Sequence, residues 1–340
     1  MVKSENCSMK CWTINRSLAD GIELSQKDIP KVKKGYALVK VLSVSLNRRD
    51  YYCTINEYPG VKDGVTLCSD CCGVVIEVGC HEGELWINKK VIPIPIIKSF
   101  NSPVIPSMNY RLLGTPYQGV LSEYILVKYC HLYEVPIGLS NAEAASIPLC
   151  GITAFNAVFN KANVKERDRV LVTGIGGGVA QFIALFAKKL NADVVVTSGG
   201  DKKVKMAEKM GYKCFNYKKE KYELDLVSNS DEYFDCIIDG AGGEGMNNLL
   251  RRLVVNGKYV LYGSTANPQV QLNLPSIFFG QYIIKGCTMG APDDYKNMLA
   301  FISDNNLKPK ISKEYDFESA KNAFLEMKNN NQFGKIIINI

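Results

Sequence analysis

The chain has 340 residues, 46% of them hydrophobic, which suffices for a sizeable core and is long enough that two lobes are expected. Charged residues make up 22% and the formal net charge is +7, but the basic residues are scattered in pairs such as Lys33-Lys34, Lys89-Lys90 and Lys188-Lys189, without the concentrated run that a nucleic-acid surface needs. No apolar stretch is of membrane-spanning length, residues 1–6 lead into none of signal length, and 12 cysteines without an export signal read as free thiols, so the cytosol is the expected location.

Short strands dominate the first 125 residues. Residues 37–44 carry β-branched residues in partial alternation, and residues 73–79 form an apolar run bounded by glycines. Between 91 and 105, Pro93, Pro95 and Pro103, with Pro106 just beyond, allow only edge strands and loops. Ser140 and Glu143 have capping-box spacing ahead of an Ala-rich turn, and residues 153–159 read as helix. Strands and helices then alternate: strand 169–173, helix 179–190, strand 193–197, helix 202–210, short strand 214–217, strand 234–238, helix 245–253, strand 258–262. That order, with short connections, predicts a parallel sheet covered on both faces, a doubly wound α/β domain. Helices are expected over 295–302 and 320–327, and a strand over 335–340 that has to pair somewhere; a return to the first lobe is expected.

The strongest local signal is the strand Arg169-Val170-Leu171-Val172-Thr173 running straight into Gly174-Ile175-Gly176-Gly177-Gly178-Val179-Ala180. Gly174 permits the tight exit turn. Gly176 and Gly177 let backbone approach a diphosphate, and after Gly178 the helix that begins at Val179 turns its N–H groups to the phosphates. A turn that binds nothing is the plainer alternative, but four glycines in five residues carry an entropic cost in a purely structural turn. No Gly-Lys-Ser or Gly-Lys-Thr follows, so a nucleoside-triphosphate loop is excluded. The second strand ends at Thr197-Ser198 rather than at the carboxylate that would take ribose hydroxyls and repel a 2′-phosphate. With Lys202 and Lys203 close by, this favours NADPH over NADH; Asp201 argues the other way but falls beyond the strand.

Cys68, Cys71 and Cys72 offer thiols, yet the last two are adjacent and diverge on a strand, and His81 and His131 sit in no paired motif. Zinc is therefore not expected, and most cysteines read as small buried hydrophobes. A metal-free reductase needs a hydrogen-bond donor where negative charge develops on the carbonyl oxygen. Asn47, Tyr51 and Tyr52 qualify as donors, and Asp50 either orients a neighbour, relays a proton or simply pairs with Arg48 or Arg49.

Taken together, Leu46-Asn47-Arg48-Arg49-Asp50, Ser69-Asp70 with Gly73, Ala145-Ser146-Ile147-Pro148-Leu149-Cys150-Gly151-Ile152-Thr153-Ala154, the glycine turn, and Asp239-Gly240-Ala241-Gly242-Gly243 resemble the medium-chain dehydrogenase/reductase superfamily, in order and distance over nearly the whole chain. They look closest to its zinc-less quinone oxidoreductase-like and alcohol dehydrogenase-like members. The resemblance implies a GroES-like β-rich catalytic domain over residues 1–125, a Rossmann NAD(P)-binding domain over 126–274, a return to the catalytic domain over 275–340, a cofactor in the interlobe cleft, and a homodimer. By the same resemblance Thr153 lies near the nicotinamide, Gly240, Ala241, Tyr262, Gly263 and Ser264 line that end of the cofactor, and Ser198 and Lys203 approach the 2′-phosphate. Zinc-dependent relatives carry Cys at the position of Asn47 and Gly-His-Glu at Cys68-Ser69-Asp70, and this chain keeps neither. It also departs from the family at Cys71-Cys72 and at Asn88-Lys89-Lys90-Val91. The expected function is NADPH-dependent reduction of a quinone, enone or other activated carbonyl, with no nucleic-acid or membrane partner. A catalytically weak NADPH-binding redox sensor or scaffold, and a zinc-dependent alcohol dehydrogenase, are the alternatives.

Overall fold

A computed structural model describes residues 8–98, 111–219 and 233–340. Pro103 and Pro106 lie outside them. The chain divides into two compact units, one made of Met1–Leu149 with Ala291–Ile340, the other of Cys150–Gly290. Among the described residues no helix is long and apolar enough to cross a membrane, and the eleven described cysteines are free thiols.

The first unit is built on the strand Tyr36–Ser45, in which Ala37, Leu38, Val39, Val41 and Val44 are buried. It pairs antiparallel with Asp70–Val78 along its length, with Tyr124–Lys128 at its start, and with Lys335–Asn339 at its end. The expected return of the 335–340 strand to the first lobe is thus seen directly. Tyr124–Lys128 and the residues up to 149 belong to this unit because their backbone partners do: Tyr36 to Lys40 pair with Tyr124 to Lys128, and Ile92 N–H donates to the carbonyl of Tyr133. Of the proline-interrupted stretch, Lys90–Val91 and Ile96–Lys98 are short strands. The core is a continuous cluster including Trp12, Ile14, Val39, Leu67, Leu121, Phe317 and Phe324. The predicted capping box is present: Ser140 Oγ accepts from Glu143 N–H (3.1 Å) and Glu143 Oε2 accepts from Ser140 N–H (2.8 Å).

The second unit carries six parallel strands in the spatial order Lys213–Asn216, Asp193–Ser198, Arg169–Val172, Phe234–Asp239, Leu253–Leu261, Ile283–Gly286. In chain order that is 3-2-1-4-5-6, the arrangement of a doubly wound dinucleotide-binding sheet. The strand order reverses between the first and fourth strands, which is where such sheets open a crevice at their carboxyl ends.

Two local expectations are corrected. The helix expected over 245–253 covers only Met246–Leu250, and Leu253 already opens a strand, because Leu253-Val254-Val255 are strand formers and Asn256 (φ 63°) and Gly257 bend the chain within it. The helix expected over 153–159 begins earlier, at Pro148–Phe155, and continues as wide π turns over Asn156–Ala162. Its last carbonyls, at Lys161 and Ala162, accept from Lys285 Nζ (3.0 Å) and Lys258 Nζ (2.7 Å). Sequence reasoning overlooked the helix Arg48–Thr54 and the hairpin of Ser8–Ile14 with Ile22–Asp28.

Candidate active site and dinucleotide site

Because the sheet of the second unit is parallel, the exits of its first, second, fourth and fifth strands lie at one end, and these exits carry almost all the expected cofactor residues. Gly174 has φ +68°, and a Cβ there would meet nothing within 4 Å; a Cβ at Gly177 would touch only the Gly174 carbonyl, at 3.5 Å. Gly177 N–H donates to that same carbonyl (2.9 Å), closing the turn. The helix starts at Gly178 and runs twelve residues to Lys189, with no side-chain cap and no acidic residue in its first turn. Its orphan N–H groups and positive pole thus border open glycine backbone, which is what a diphosphate requires. The residues here fit a dinucleotide.

Ser198 is the buried last residue of the second strand. Lys202 and Lys203 are in the first turn of the following helix, Asp201–Lys209. Asp201 is engaged from the side: its Oδ1 accepts from Asn216 Nδ2 (2.8 Å) and pairs with Lys219 Nζ (3.1 Å), and these bonds hold its carboxyl below the usual carboxylate range. Tyr217, a residue the sequence reading passed over, lies against the same strand exit, since a Cβ on Gly199 would fall 2.5 Å from its hydroxyl. Gly240 and Ala241 follow the fourth strand. Gly240 is kept glycine by the Tyr262 ring, which a Cβ would meet at 2.5 Å. Burial, reinforced by Asp239, pushes the Tyr262 phenol up, so it stays protonated. Gly263 and Ser264 follow the fifth strand, and Thr265 N–H beyond them donates to the carbonyl of Gly240 (3.2 Å). Thr153 is buried beside the sixth strand's exit, with its Oγ1 3.6 Å from Met289 Sδ.

In the first unit, Asn47 precedes the helix Arg48–Thr54 and Asp50 sits in its first turn, both buried. The carboxylate of Asp50 is committed: Oδ2 accepts from Asn47 N–H (2.8 Å) and Oδ1 pairs with Arg49 Nη1 (3.2 Å), so its position is that of a cap and an ion-pair partner. Arg48 instead donates to the carbonyl of Met327 (2.7 Å) and to Asn330. Burial pushes Asp50 up to about 6 despite Arg49 and the Asn47 N–H. Tyr51 and Tyr52 are half-buried on the same helix, ring centroids 6.1 Å apart.

A chain of hydrogen bonds absent from the sequence reading runs through Asn47. Lys335 Nζ, on a residue only 3% exposed, donates to Asn47 Oδ1 (2.5 Å). Asn47 Nδ2 donates to Ser69 Oγ (3.3 Å), Ser69 Oγ donates to Asp70 Oδ1 (2.7 Å), and Asp70 Oδ2 accepts from Leu149 N–H (3.0 Å). The three side-chain donors point from the ammonium toward the carboxylate. Burial raises Asp70 against the attraction of Lys335 and these bonds.

Two family models match the chain: "Alcohol dehydrogenase GroES-like domain" over residues 33–137 and "Zinc-binding dehydrogenase" over residues 178–304. The zinc-type alcohol dehydrogenase-like protein YogA of Leptosphaeria maculans is 30% identical over 339 residues, covering 94% of each chain. The chain is a member of the medium-chain dehydrogenase/reductase superfamily. Another member, the acryloyl-coenzyme A reductase of Sulfurisphaera tokodaii, is 23% identical over 94% of this chain and 96% of its own. A crystal structure of an NAD-dependent alcohol dehydrogenase superposes with a TM-score of 0.87 over 98% of this chain and 99% of its own; at 23% identity it shows the shared fold. This dehydrogenase/reductase therefore has a GroES-like β-rich domain and a Rossmann domain.

Zinc, which the second model's name implies, does not fit this member. At the positions that hold ligands in the zinc branch stand an amide whose oxygen is taken by Lys335 and a hydroxyl that donates to Asp70. The neighbouring thiols are buried and pushed up, Cys53 to about 12 and Cys68 and Cys71 well above the ordinary thiol range, away from the thiolate that zinc takes. Among the described residues no group of three or more His, Cys, Asp or Glu is placed to hold a metal.

Proposed function

We propose that this dehydrogenase/reductase uses NADPH to reduce an activated carbonyl compound, a quinone or an enone, without a metal ion. The observation that carries the reading is the open glycine turn at the start of the helix Gly178–Lys189. Support for NADPH over NADH comes from the second strand, which ends in Thr197-Ser198 with two lysines beyond it while Asp201, the first residue of the following helix, is held by Asn216 and Lys219. Support for a conjugated substrate comes from the relative whose name denotes reduction of an acryloyl thioester.

A nicotinamide nucleotide held at the turn of Gly174, Gly176 and Gly177 would supply a hydride to carbon, and water or a side-chain donor would supply the proton that completes the reduction. The chain's own task is then to hold the carbonyl compound and stabilise the negative charge that appears on oxygen. Lys335 fixes the amide of Asn47 through its oxygen, and Asn47 Nδ2 donates onward to Ser69 Oγ, so this amide sets the start of the helix Arg48–Thr54 in place. The phenols of Tyr51 and Tyr52 supply donors from the same helix. Asp50 holds the start of that helix.

The test is NADPH oxidation by the folded protein, monitored with quinones, enones, aldehydes and alcohols. Turnover is expected with a quinone or enone, with NADPH preferred over NADH by about tenfold or more, the equivalent of one well-made phosphate contact. No turnover with any acceptor would overturn the reading, and equal use of NADH would overturn its cofactor half.

A homodimer belongs to the same proposal. Ile283–Gly286 ends the order of the Rossmann sheet, and beside it Leu274, Phe278, Phe279 (78% exposed), Ile283 and Ile284 lie open. An apolar edge of this kind calls for a partner, and a second copy offers the same surface about a two-fold axis. Sedimentation at micromolar concentration is expected to give a dimer that Phe279→Lys dissociates; a monomeric wild type would refute it.

A further inference from the structure

Asp239 ends the fourth strand of the Rossmann sheet and is 1% exposed. Its carboxylate is ringed by four donors. Oδ1 accepts from the hydroxyl of Thr173 and from Ala241 N–H (2.9 Å), and Oδ2 accepts from Gly242 N–H (2.9 Å) and from Tyr259 Oη (2.9 Å). Four bonds fill every acceptor position a carboxylate has. Thr173, the residue immediately before Gly174, gives its proton to Asp239 and with the same oxygen accepts from Gly240 N–H (3.2 Å). The exit of the first strand and that of the fourth are therefore tied to one another through a single buried group. The fifth exit is tied on in turn: Tyr262 N–H donates to the carbonyl of Asp239 (2.9 Å) and Ala266 N–H to that of Ala241 (2.9 Å). Around the carboxylate the chain curls with Gly242 at φ +63° and Gly243 at φ +76°, a path that glycine takes without strain.

We propose that Asp239 is the positioning residue of the dinucleotide site: by gathering the loops that carry Gly174, Gly240 and Ala241 onto one carboxylate, it sets their backbones in the arrangement that receives the cofactor before the cofactor arrives. The proposal rests on the reading of the glycine turn as a dinucleotide site. It differs from a role in mere folding because the ring joins strand exits, while the strands behind them are joined by their own ladder. Preorganised loops bind without having to be ordered first, so a loss of the ring appears as a loss of affinity.

Asp239→Asn keeps the shape and reverses the chemistry. Each carboxylate oxygen faces one backbone N–H, so either orientation of the amide sets an NH2 against the N–H of Ala241 or of Gly242. The two hydroxyls can turn to accept, but a backbone N–H cannot. Titration with NADPH is expected to show a Kd raised about 10- to 100-fold in Asp239→Asn, the range for one opposed buried donor, and about threefold to tenfold in Thr173→Val, which removes one donor of the four. The double variant is expected to lose less than the product of the two, because Thr173 acts through Asp239. Amide exchange in Asp239→Asn is expected to rise at residues 240–242 and not across the sheet, a pattern that general destabilisation would not produce.

Folded Asp239→Asn with wild-type affinity, or losses in the two variants that multiply independently, would overturn the proposal. If Asp239→Asn does not fold, Thr173→Val decides: unchanged affinity and unchanged exchange at 240–242 overturn it. A wild type that binds neither NADPH nor NADH overturns the site reading itself, and this proposal with it; a wild type that binds beside an indifferent Asp239→Asn overturns this proposal alone.

Discussion

Gly177→Asp is expected to lower NADPH affinity at least about 100-fold while leaving the fold as stable as before or slightly more so. The two signs separate because the position serves two masters. Gly177 is the N-cap of the helix Gly178–Lys189 at φ −85° and ψ 150°, a backbone conformation open to any residue, and its Cβ direction holds only the Gly174 carbonyl at 3.5 Å. Asp at an N-cap accepts from the first-turn N–H groups and lies against the positive pole, a gain of a few tenths to about 1 kcal/mol over Gly. Those same N–H groups are what the diphosphate needs. A carboxylate placed among them removes donors and sets a negative charge a few ångströms from the phosphates, which at a surface-like dielectric costs about 4 kcal/mol. Fluorescence titration and a thermal melt on one preparation give both numbers. A stable variant that binds NADPH within about threefold of wild type would place the diphosphate elsewhere.

Lys335→Met is expected to destabilise the first unit by about 3–5 kcal/mol, the usual loss when one partner of a buried charged group is removed. Methionine keeps the length and apolar stem of the side chain. It leaves Asn47 Oδ1 without the ammonium and the fully enclosed Asp70 without the cation that offsets it, while Asp50 keeps Arg49. Set against a total stability of roughly 5–15 kcal/mol, that is a large fraction. The first thermal transition should fall by on the order of 10 °C, and Asp70→Asn in the same chain should restore part of it by removing the orphaned charge. A transition unchanged by Lys335→Met would show that the ammonium is solvated in solution and that the relay through Asn47 does not exist.

What the sequence revealed and what it concealed follow the same physical line. The glycine turn, the strand before it and the helix after it are contiguous, and steric and dipolar rules act on neighbours, so residues 169–190 could be read as they stand. Ser140 with Glu143 was legible for that reason, three residues apart. So was the Arg49–Asp50 pair as one option among several, although only the structure shows that Asp50 spends its second oxygen on Asn47 N–H. Lys335 lies 288 positions from Asn47, and Thr173 lies 66 from Asp239. Lys335 stands at the head of an isoleucine run, where a lysine reads as the solvated end of a strand, and nothing local says that it is buried. The short helix Met246–Leu250 was overextended because Leu253-Val254-Val255 continue its apolar character while preferring a strand.

The pairing of Tyr36–Ser45 with Lys335–Asn339 has a consequence for biosynthesis. Residues 150–290 are continuous, so the Rossmann unit can fold as soon as it leaves the ribosome. The other unit cannot complete its sheet until translation has passed residue 339, nearly three hundred codons after residue 45 was made. At roughly 5–20 residues per second, the nascent chain spends on the order of 15–60 s with that strand edge bare and the carboxylate of Asp70 lacking its ammonium. This is the interval in which chaperones have most to do for the protein, and in which a stalled or prematurely terminated chain yields one folded half tethered to a sticky, unfinished one.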